Sequence, residues 1–96
     1  MHRLVTIRGR VQGIGYRAWT EVTALKCGLQ GWVRNRRDGS VEALFVGEDG
    51  VVLAMIEACR RGPPGARVDF VDHREAGADE VALRRRDELF SVLGSV

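Results

Sequence analysis

The period of the apolar residues changes along the chain, and the order of these changes constrains the fold more than any other sequence feature. Segments with a period of two, typical of strands, alternate with segments that have a helical period of about 3.6. Glycine and proline turns separate them. In chain order the sequence predicts a strand at 3–9, a helix at 16–26, strands at 31–35 and 40–46, a helix at 50–61, a strand around 68–71 and a closing strand at 89–93.

This order of elements, β-α-β-β-α-β with a closing strand, indicates an α+β fold. Two helices that cover one face of an antiparallel sheet form the ferredoxin-like sandwich. In that topology the first two strands run parallel with the third between them, so their carboxyl ends reach the same edge of the sheet. The 96 residues allow one core, and we expect a single domain over residues 1–96. Residues 75–88 are polar and give no clear prediction.

The same spacing predicts how side chains are distributed over the faces of these elements. Residues three or four apart share a helix face, and alternate residues share a strand face. The spacing places Ala18, Val22 and Leu25 on one face of the first helix and Trp19, Thr23 and Cys27 on the neighbouring face. It places Val52, Met55, Ile56 and Cys59 on one face of the second helix, and Val68 and Phe70 on one face of the fourth strand. Trp19 and Trp32 are predicted to be core aromatics.

The composition is that of an ordinary soluble chain, with 45% hydrophobic residues, 29% charged residues and a formal net charge of +2. No apolar run approaches the ~20 residues that span a bilayer, and the first residues are too quickly polar for a secretory signal. We therefore expect a cytoplasmic protein with no membrane partner. Arginine clusters such as Arg84-Arg85-Arg86 are interleaved with acidic residues, which favours a solvated surface over nucleic-acid binding.

Cys27 and Cys59 are the only cysteines, too few for a disulfide framework. Each lies near the end of its own helix, and the expected topology makes the two helices antiparallel. The thiols are therefore predicted to be far apart, free and half-buried. Neither cysteine has the spacing of a metal-ligand pair, and His2 and His73 are far apart in sequence. We expect no metal site and no cofactor.

Residues 9–17, Gly-Arg-Val-Gln-Gly-Ile-Gly-Tyr-Arg, join the first strand to the first helix. Three glycines in this short segment relax the steric limits on the backbone, so its amide N–H groups can converge on one point. The helix N-terminus adds partial positive charge, and Arg17 adds a full charge with a planar set of donors. This combination suits a tetrahedral dianion, and the segment is interpreted as a phosphate-binding loop.

Asn35 lies near the carboxyl end of the second strand, at the sheet edge that the loop also reaches. A carboxamide both donates and accepts hydrogen bonds, so it can orient a water molecule without becoming charged. Arg17 and the loop amides can offset phosphoryl charge, and the carboxylate leaving group of an acyl phosphate needs little acid assistance. No Ser-His-Asp set, cysteine nucleophile loop or paired carboxylates are evident. The residues point to metal-free hydrolysis without a covalent intermediate.

The chain resembles the acylphosphatase family in two separate motifs, residues 7–17 and residues 31–35, followed by Gly39-x-Val41 and Gly47. The resemblance is clear over residues 3–62 and implies the ferredoxin-like sandwich and hydrolysis of acyl phosphates to a carboxylate and inorganic phosphate. It implies that the substrate's own phosphate accepts the proton of the attacking water. The implied roles are phosphate binding for Gln12, Gly13, Ile14, Gly15, Tyr16 and Arg17, and water orientation for Asn35.

Departures from the family pattern are modest. Ile14 stands where valine is usual, Tyr16 where phenylalanine is usual, and Arg36 where many members have threonine. The Tyr16 hydroxyl is expected to touch solvent at the base of the loop, and Arg36 to add charge beside the site. The expected partners are a small-molecule acyl phosphate as substrate and inorganic phosphate or sulfate as product-like ligands, with the chain acting as a monomer.

Other functions compatible with the sequence come from different classes. Domains similar to acylphosphatases occur within larger carbamoyl-transfer proteins, but this chain lacks the zinc-finger cysteines that accompany them, which favours a free-standing enzyme. Ferredoxin-like sandwiches also bind RNA on the sheet face through exposed aromatics, a signature that the strands here do not show. An inactive anion-binding protein could use the same loop, and only turnover separates it from an enzyme.

Overall fold

The computed structural model describes all 96 residues, and each predicted strand and helix is present in it. One further element, a short helix at Ala78–Val81, lies within residues 75–88, for which no element was predicted. The elements are β1 (His2–Arg10), α1 (Tyr16–Lys26), β2 (Gln30–Asn35), β3 (Val41–Val46), α2 (Asp49–Cys59), β4 (Arg67–Glu75), α3 (Ala78–Val81) and β5 (Phe90–Val92).

The five strands form one sheet in the order β4-β1-β3-β2-β5. Both β1 and β2 pair antiparallel with β3, which lies between them, so the predicted parallel course of β1 and β2 is confirmed. The sheet is antiparallel as predicted except at one edge, where β5 runs parallel to β2. Strands β4 and β5 lie at opposite edges of the sheet, so the segment between them crosses the sheet and delivers the chain to the free edge of β2.

One face of the sheet, called here the helix face, packs against α1 and α2 through the main core cluster. The predicted face of α2 is confirmed, since its four residues are all buried. The apolar residues Ala18, Val22 and Leu25 do share a face of α1, but that face is open to solvent: Val22 is 51% and Leu25 43% exposed. The helix instead buries Tyr16, Thr20 and Ala24. Burial of Thr20 is tolerated because its hydroxyl donates to the Tyr16 carbonyl oxygen at 2.8 Å, which satisfies it within the helix.

The opposite face of the sheet, called here the outer face, carries a smaller buried cluster of Leu4, Trp32 and Leu44. Side chains from the segment that connects β4 to β5 and from the chain beyond β5 pack over this cluster. The Trp32 indole N–H donates to the Glu80 carbonyl oxygen at 2.7 Å. Trp32 is therefore the buried aromatic that the sequence predicted, whereas Trp19 is only partly buried against the helix-face core.

A β-bulge changes the alternation of β4. The register shifts so that Gly9 pairs with Val68 while Arg8 pairs with Phe70, which leaves Asp69 as the extra residue. Val68 and Phe70 therefore do not share a face, contrary to the simple period of two. Val71 is buried in the main core, and Phe70 is 48% exposed.

The two cysteines are free, as predicted, but neither is half-buried: Cys27 is exposed and Cys59 is buried. Burial raises the pKa of the Cys59 thiol to about 12. Tyr16 at the start of α1 contacts Cys59 at the end of α2, so Cys27 lies at the far end of α1. Helices α1, α2 and α3 are each too short, or too polar, to cross a bilayer.

Candidate functional site

The loop between β1 and α1 depends on two glycines with positive φ. Gly13 has φ +78°, and Gly15, the N-cap of α1, has φ +83° and ψ 18° in the left-handed region. A Cβ atom at either position would meet no atom within 4 Å. The glycines are therefore required by the backbone conformation and not by space, because residues with a Cβ rarely adopt this region.

The backbone amides of residues 12–18 donate no hydrogen bond to any group in the chain, and the first helical bond of α1 comes from Trp19 to the Gly15 carbonyl oxygen. The cap residue offers no side-chain bond, and the first turn contains no acidic residue. Backbone N–H groups are normally paired unless they face solvent or a ligand. A run of free donors at a helix N-terminus is an anion-binding arrangement.

A cavity of about 330 Å³ opens beside these amides. Arg17, the second residue of α1, and Asn35, the last residue of β2, both contribute to its wall, so the two ends that the topology places at one sheet edge do meet there. The residues that line the cavity are Val11, Gly13, Gly15, Tyr16, Arg17, Ala18, Glu21, Asn35 and Val92.

The polar groups of Arg17 and Asn35 are not used elsewhere in the fold. The ion pair that Arg17 could form with Glu21, one turn along α1, is absent from the salt bridges of the structure. The Asn35 carboxamide makes no hydrogen bond within the chain, while its backbone carbonyl oxygen accepts one from the Val96 amide at 3.1 Å. Both side chains are partly exposed. A guanidinium and a carboxamide therefore remain free at one cavity.

Tyr16 supports the loop from beneath, and its hydroxyl does not touch solvent as the sequence suggested. The residue is 2% exposed, and its hydroxyl donates to the Cys59 carbonyl oxygen at 2.6 Å. Burial raises the pKa of this phenol far above its usual value, with Cys59 contributing further. The ring meets the Trp19 ring edge-to-face at 5.4 Å between centroids. Tyr16 thus fixes the start of α1 against the end of α2.

We expect Tyr16→Phe to lower the free energy of unfolding by about 1–2 kcal/mol, because it removes one buried hydrogen bond while the ring packing stays. Urea unfolding of the variant and the parent measures the difference. A variant that removes the Thr23 hydroxyl, which donates only to the Trp19 carbonyl oxygen within α1, measures the loss of a hydrogen bond that joins no second element. An unchanged unfolding midpoint would show that the bond to Cys59 contributes nothing.

Two residues of the predicted phosphate loop, Gln12 and Ile14, do not line the cavity. The Gln12 side chain turns to the β2–β3 turn, where its Nε2 donates to the carbonyl oxygens of Arg36 and Ser40. Ile14 packs against the main core. The backbone amides of these two residues remain available to a ligand.

The sequence interpretation missed four lining residues, Val11, Ala18, Glu21 and Val92. Val11 belongs to the loop segment and Ala18 follows it directly, so their place in the chain could have identified them. Helical spacing could have identified Glu21, one turn after Arg17. Val92 comes from β5, and nothing in the sequence indicated that this strand would lie beside β2. Arg36 does not add free charge to the site, because its guanidinium lies 3.2 Å from the Glu42 carboxylate.

Metal ligation has no evident place in this arrangement. Nowhere in the chain do three or more His, Cys, Asp or Glu side chains cluster in a way that could hold a metal ion. The cavity itself has one carboxylate, that of Glu21.

Comparison with known proteins extends these observations. Residues 3–85 match the family model described as Acylphosphatase. An acylphosphatase of Bradyrhizobium diazoefficiens is 63% identical over 92 residues, which cover 96% of this chain and 93% of that protein. The crystal structure of acylphosphatase from Bacillus subtilis superimposes with a TM-score of 0.82 at 32% identity, covering 96% of this chain and 97% of that one.

A larger protein also contains a similar fold. The crystal structure of T. kodakarensis HypF matches with a TM-score of 0.79 and 26% identity; the match covers 100% of this chain and 12% of HypF. The solved acylphosphatase structures share the ferredoxin-like α+β architecture described above. With a family model matched over most of its length and a curated relative at 63% identity, the chain belongs to the acylphosphatase family.

Proposed function

We propose that the cavity at the end of β1 hydrolyses acyl phosphates to a carboxylate and inorganic phosphate, with no metal and no covalent intermediate. One observation carries the proposal: the unpaired amides of Gly13 and of residues 15–18, the free guanidinium of Arg17 and the free carboxamide of Asn35 belong to residues that line a single cavity. These groups are the ones that phosphate binding and water orientation require, and family membership supports the same reaction.

In the binding step, the loop amides and Arg17 hold the phosphoryl oxygens. The amides are fixed by the backbone before the substrate arrives, so they need no reorganisation as charge shifts in the transition state. Arg17 adds a planar set of donors that can engage two oxygens at once. The partial positive charge of the α1 N-terminus acts in the same direction. The expected competing ligands are inorganic phosphate and sulfate.

In the chemical step, Asn35 orients a water molecule for attack on phosphorus. Its carboxamide oxygen accepts a hydrogen bond from the water, which leaves an oxygen lone pair directed at the phosphoryl group. Alignment of the water with the leaving carboxylate supplies rate acceleration through proximity and orientation. No side chain of the cavity is needed as a general base if a phosphate oxygen takes the proton of the water.

The remaining wall of the cavity suits the acyl half of the substrate. Val11, Ala18 and Val92 give it an apolar surface, and Glu21 gives it one carboxylate. We therefore propose small, weakly polar acyl phosphates as substrates. The chain acts as a single unit in this scheme, because all of the groups involved belong to one copy. Its cytoplasmic location stays a prediction.

The decisive experiment is the release of inorganic phosphate from benzoyl phosphate, compared with a stable phosphomonoester such as p-nitrophenyl phosphate. The proposal predicts rapid release from the first, competitive inhibition by inorganic phosphate, and negligible release from the second, whose leaving group is poorer. Phosphate binding without release would favour the anion-binding alternative. Salt-sensitive retention of RNA without release would favour the RNA-binding alternative, although the connecting segment covers the outer face around Trp32.

Chelating agents are expected to leave the rate unchanged, because the cavity has one carboxylate and no cluster of ligand side chains. Dialysis against EDTA, followed by the benzoyl phosphate assay with and without added Mg²⁺ or Zn²⁺, tests this. Loss of activity that added metal restores would contradict a metal-free mechanism.

A further inference from the structure

The Gln12 side chain links the two halves of the site. Its single nitrogen, Nε2, carries two N–H donors, and both are used: one donates to the Arg36 carbonyl oxygen at 2.7 Å and the other to the Ser40 carbonyl oxygen at 2.8 Å. Gln12 belongs to the loop, whereas Arg36 and Ser40 stand at the two ends of the β2–β3 turn. These bonds therefore join the loop to that turn.

The β2–β3 turn, which Gln12 joins to the loop, begins directly after Asn35. Asn35 pairs with Val41 in the sheet, so Arg36 and Ser40 are the next residues on each strand. The turn is closed by its own bonds, from the Arg36 amide to the Ser40 carbonyl oxygen at 2.9 Å and from the Ser40 hydroxyl to the Asp38 carboxylate at 2.6 Å. A turn that is closed by its own hydrogen bonds moves as a rigid unit. A contact that fixes this turn relative to the loop therefore also fixes Asn35, the residue directly before it.

We infer that Gln12 is a positioning residue, which sets the separation between the phosphate held by the loop and the water held by Asn35. This inference rests on the proposed function. Gln12 then has two separate roles. Its backbone amide stays free to face phosphate, while its side chain acts through Asn35 and touches no reacting atom. Misplacement of a reacting group by about 1 Å can cost up to about 100-fold in rate.

The test uses Gln12→Met, which keeps the length of the side chain and removes both donors. We expect kcat for benzoyl phosphate to fall about 10- to 100-fold, while the inhibition constant for inorganic phosphate stays within about twofold, since the amides and Arg17 are intact. Gln12→Glu keeps the shape but places acceptor oxygens against the two carbonyl oxygens. It should lose at least as much kcat at neutral pH.

A double-mutant cycle separates positioning from general support of the fold. If Gln12 acts through Asn35, then Gln12→Met should change kcat less than about twofold in an Asn35→Ala background, where no carboxamide remains to be positioned. Additive losses would overturn the inference. So would a Gln12→Met variant with kcat within about twofold of the parent, or one that loses phosphate binding and keeps kcat.

Trp32→Phe is the matched control. It removes one long-range bond from a side chain to a backbone carbonyl oxygen, that of Glu80, on the outer face away from the cavity. It should lower the unfolding midpoint and leave kcat within about twofold. Hydrogen exchange of the Arg36 amide gives a readout independent of turnover: Gln12→Met should speed it, and unchanged exchange would count against the tether. A parent protein that releases no phosphate would instead refute the proposed function.

Discussion

Arg17→Ala is expected to lower kcat/KM for benzoyl phosphate by at least about 1,000-fold and to abolish inhibition by inorganic phosphate. The variant removes the only full positive charge in the cavity wall, together with the donors that can engage two phosphoryl oxygens. Charge on these oxygens changes during the reaction, so the loss affects both the bound ground state and the transition state. Phosphate release and phosphate titration calorimetry measure the two effects.

Folding should be almost unaffected, because Arg17 makes no salt bridge and is partly exposed. Unfolding in urea checks this. Arg17→Lys keeps the charge but loses the planar donor set, and it should recover only part of the rate. Arg86→Ala, which removes an exposed arginine far along the chain, controls for the change in net charge. Retained kcat/KM in Arg17→Ala would contradict the assignment of the site.

Asn35→Ala is expected to lower kcat about 100- to 1,000-fold while the inhibition constant for inorganic phosphate changes little. The carboxamide is lost, but the loop amides and Arg17, which we propose hold the phosphate, remain. The backbone bond from the Val96 amide to the Asn35 carbonyl oxygen survives the substitution, so the end of β2 should keep its place. Steady-state kinetics with phosphate as the inhibitor separates kcat from binding.

Asn35→Asp is the matched comparison, because it keeps the shape of the side chain and adds a negative charge beside the phosphate. It should raise KM as well as lower kcat, since like charges repel across the cavity. If Asn35→Ala instead raised KM and left kcat unchanged, Asn35 would be a residue that binds substrate and not one that orients water.

The order of the strands and helices was predictable because glycine and proline mark their ends and each element is locally periodic. The meeting of Arg17 and Asn35 was predictable for a different reason. Once β1 and β2 both flank β3, their carboxyl ends must lie at one edge, whatever the details of side-chain packing. Topology alone therefore brought the two motifs together.

The errors arose where a side chain's burial depends on a specific bond or on a local irregularity. The burial of α1 differs from its apolar pattern because Thr20 satisfies its hydroxyl within the helix and can be buried, while Leu25 stays exposed. Phe70 lies on an unexpected face because the bulge inserts one residue. The Tyr16 hydroxyl donates to the carbonyl oxygen of Cys59, 43 residues away in the chain. The periodicity of apolar residues in the sequence predicts none of these three features.

The C-terminal part of the chain has two consequences for the substrate. Its connecting segment shields the Leu4, Trp32 and Leu44 cluster, and its last strand brings Val92 to the cavity. The two ends of an acyl phosphate would thus be met by opposite ends of the polypeptide, the anion by the first helix turn and the organic group partly by the final strand. Leaving-group preference can therefore diverge among relatives through changes near residue 92, with the anion-binding machinery preserved.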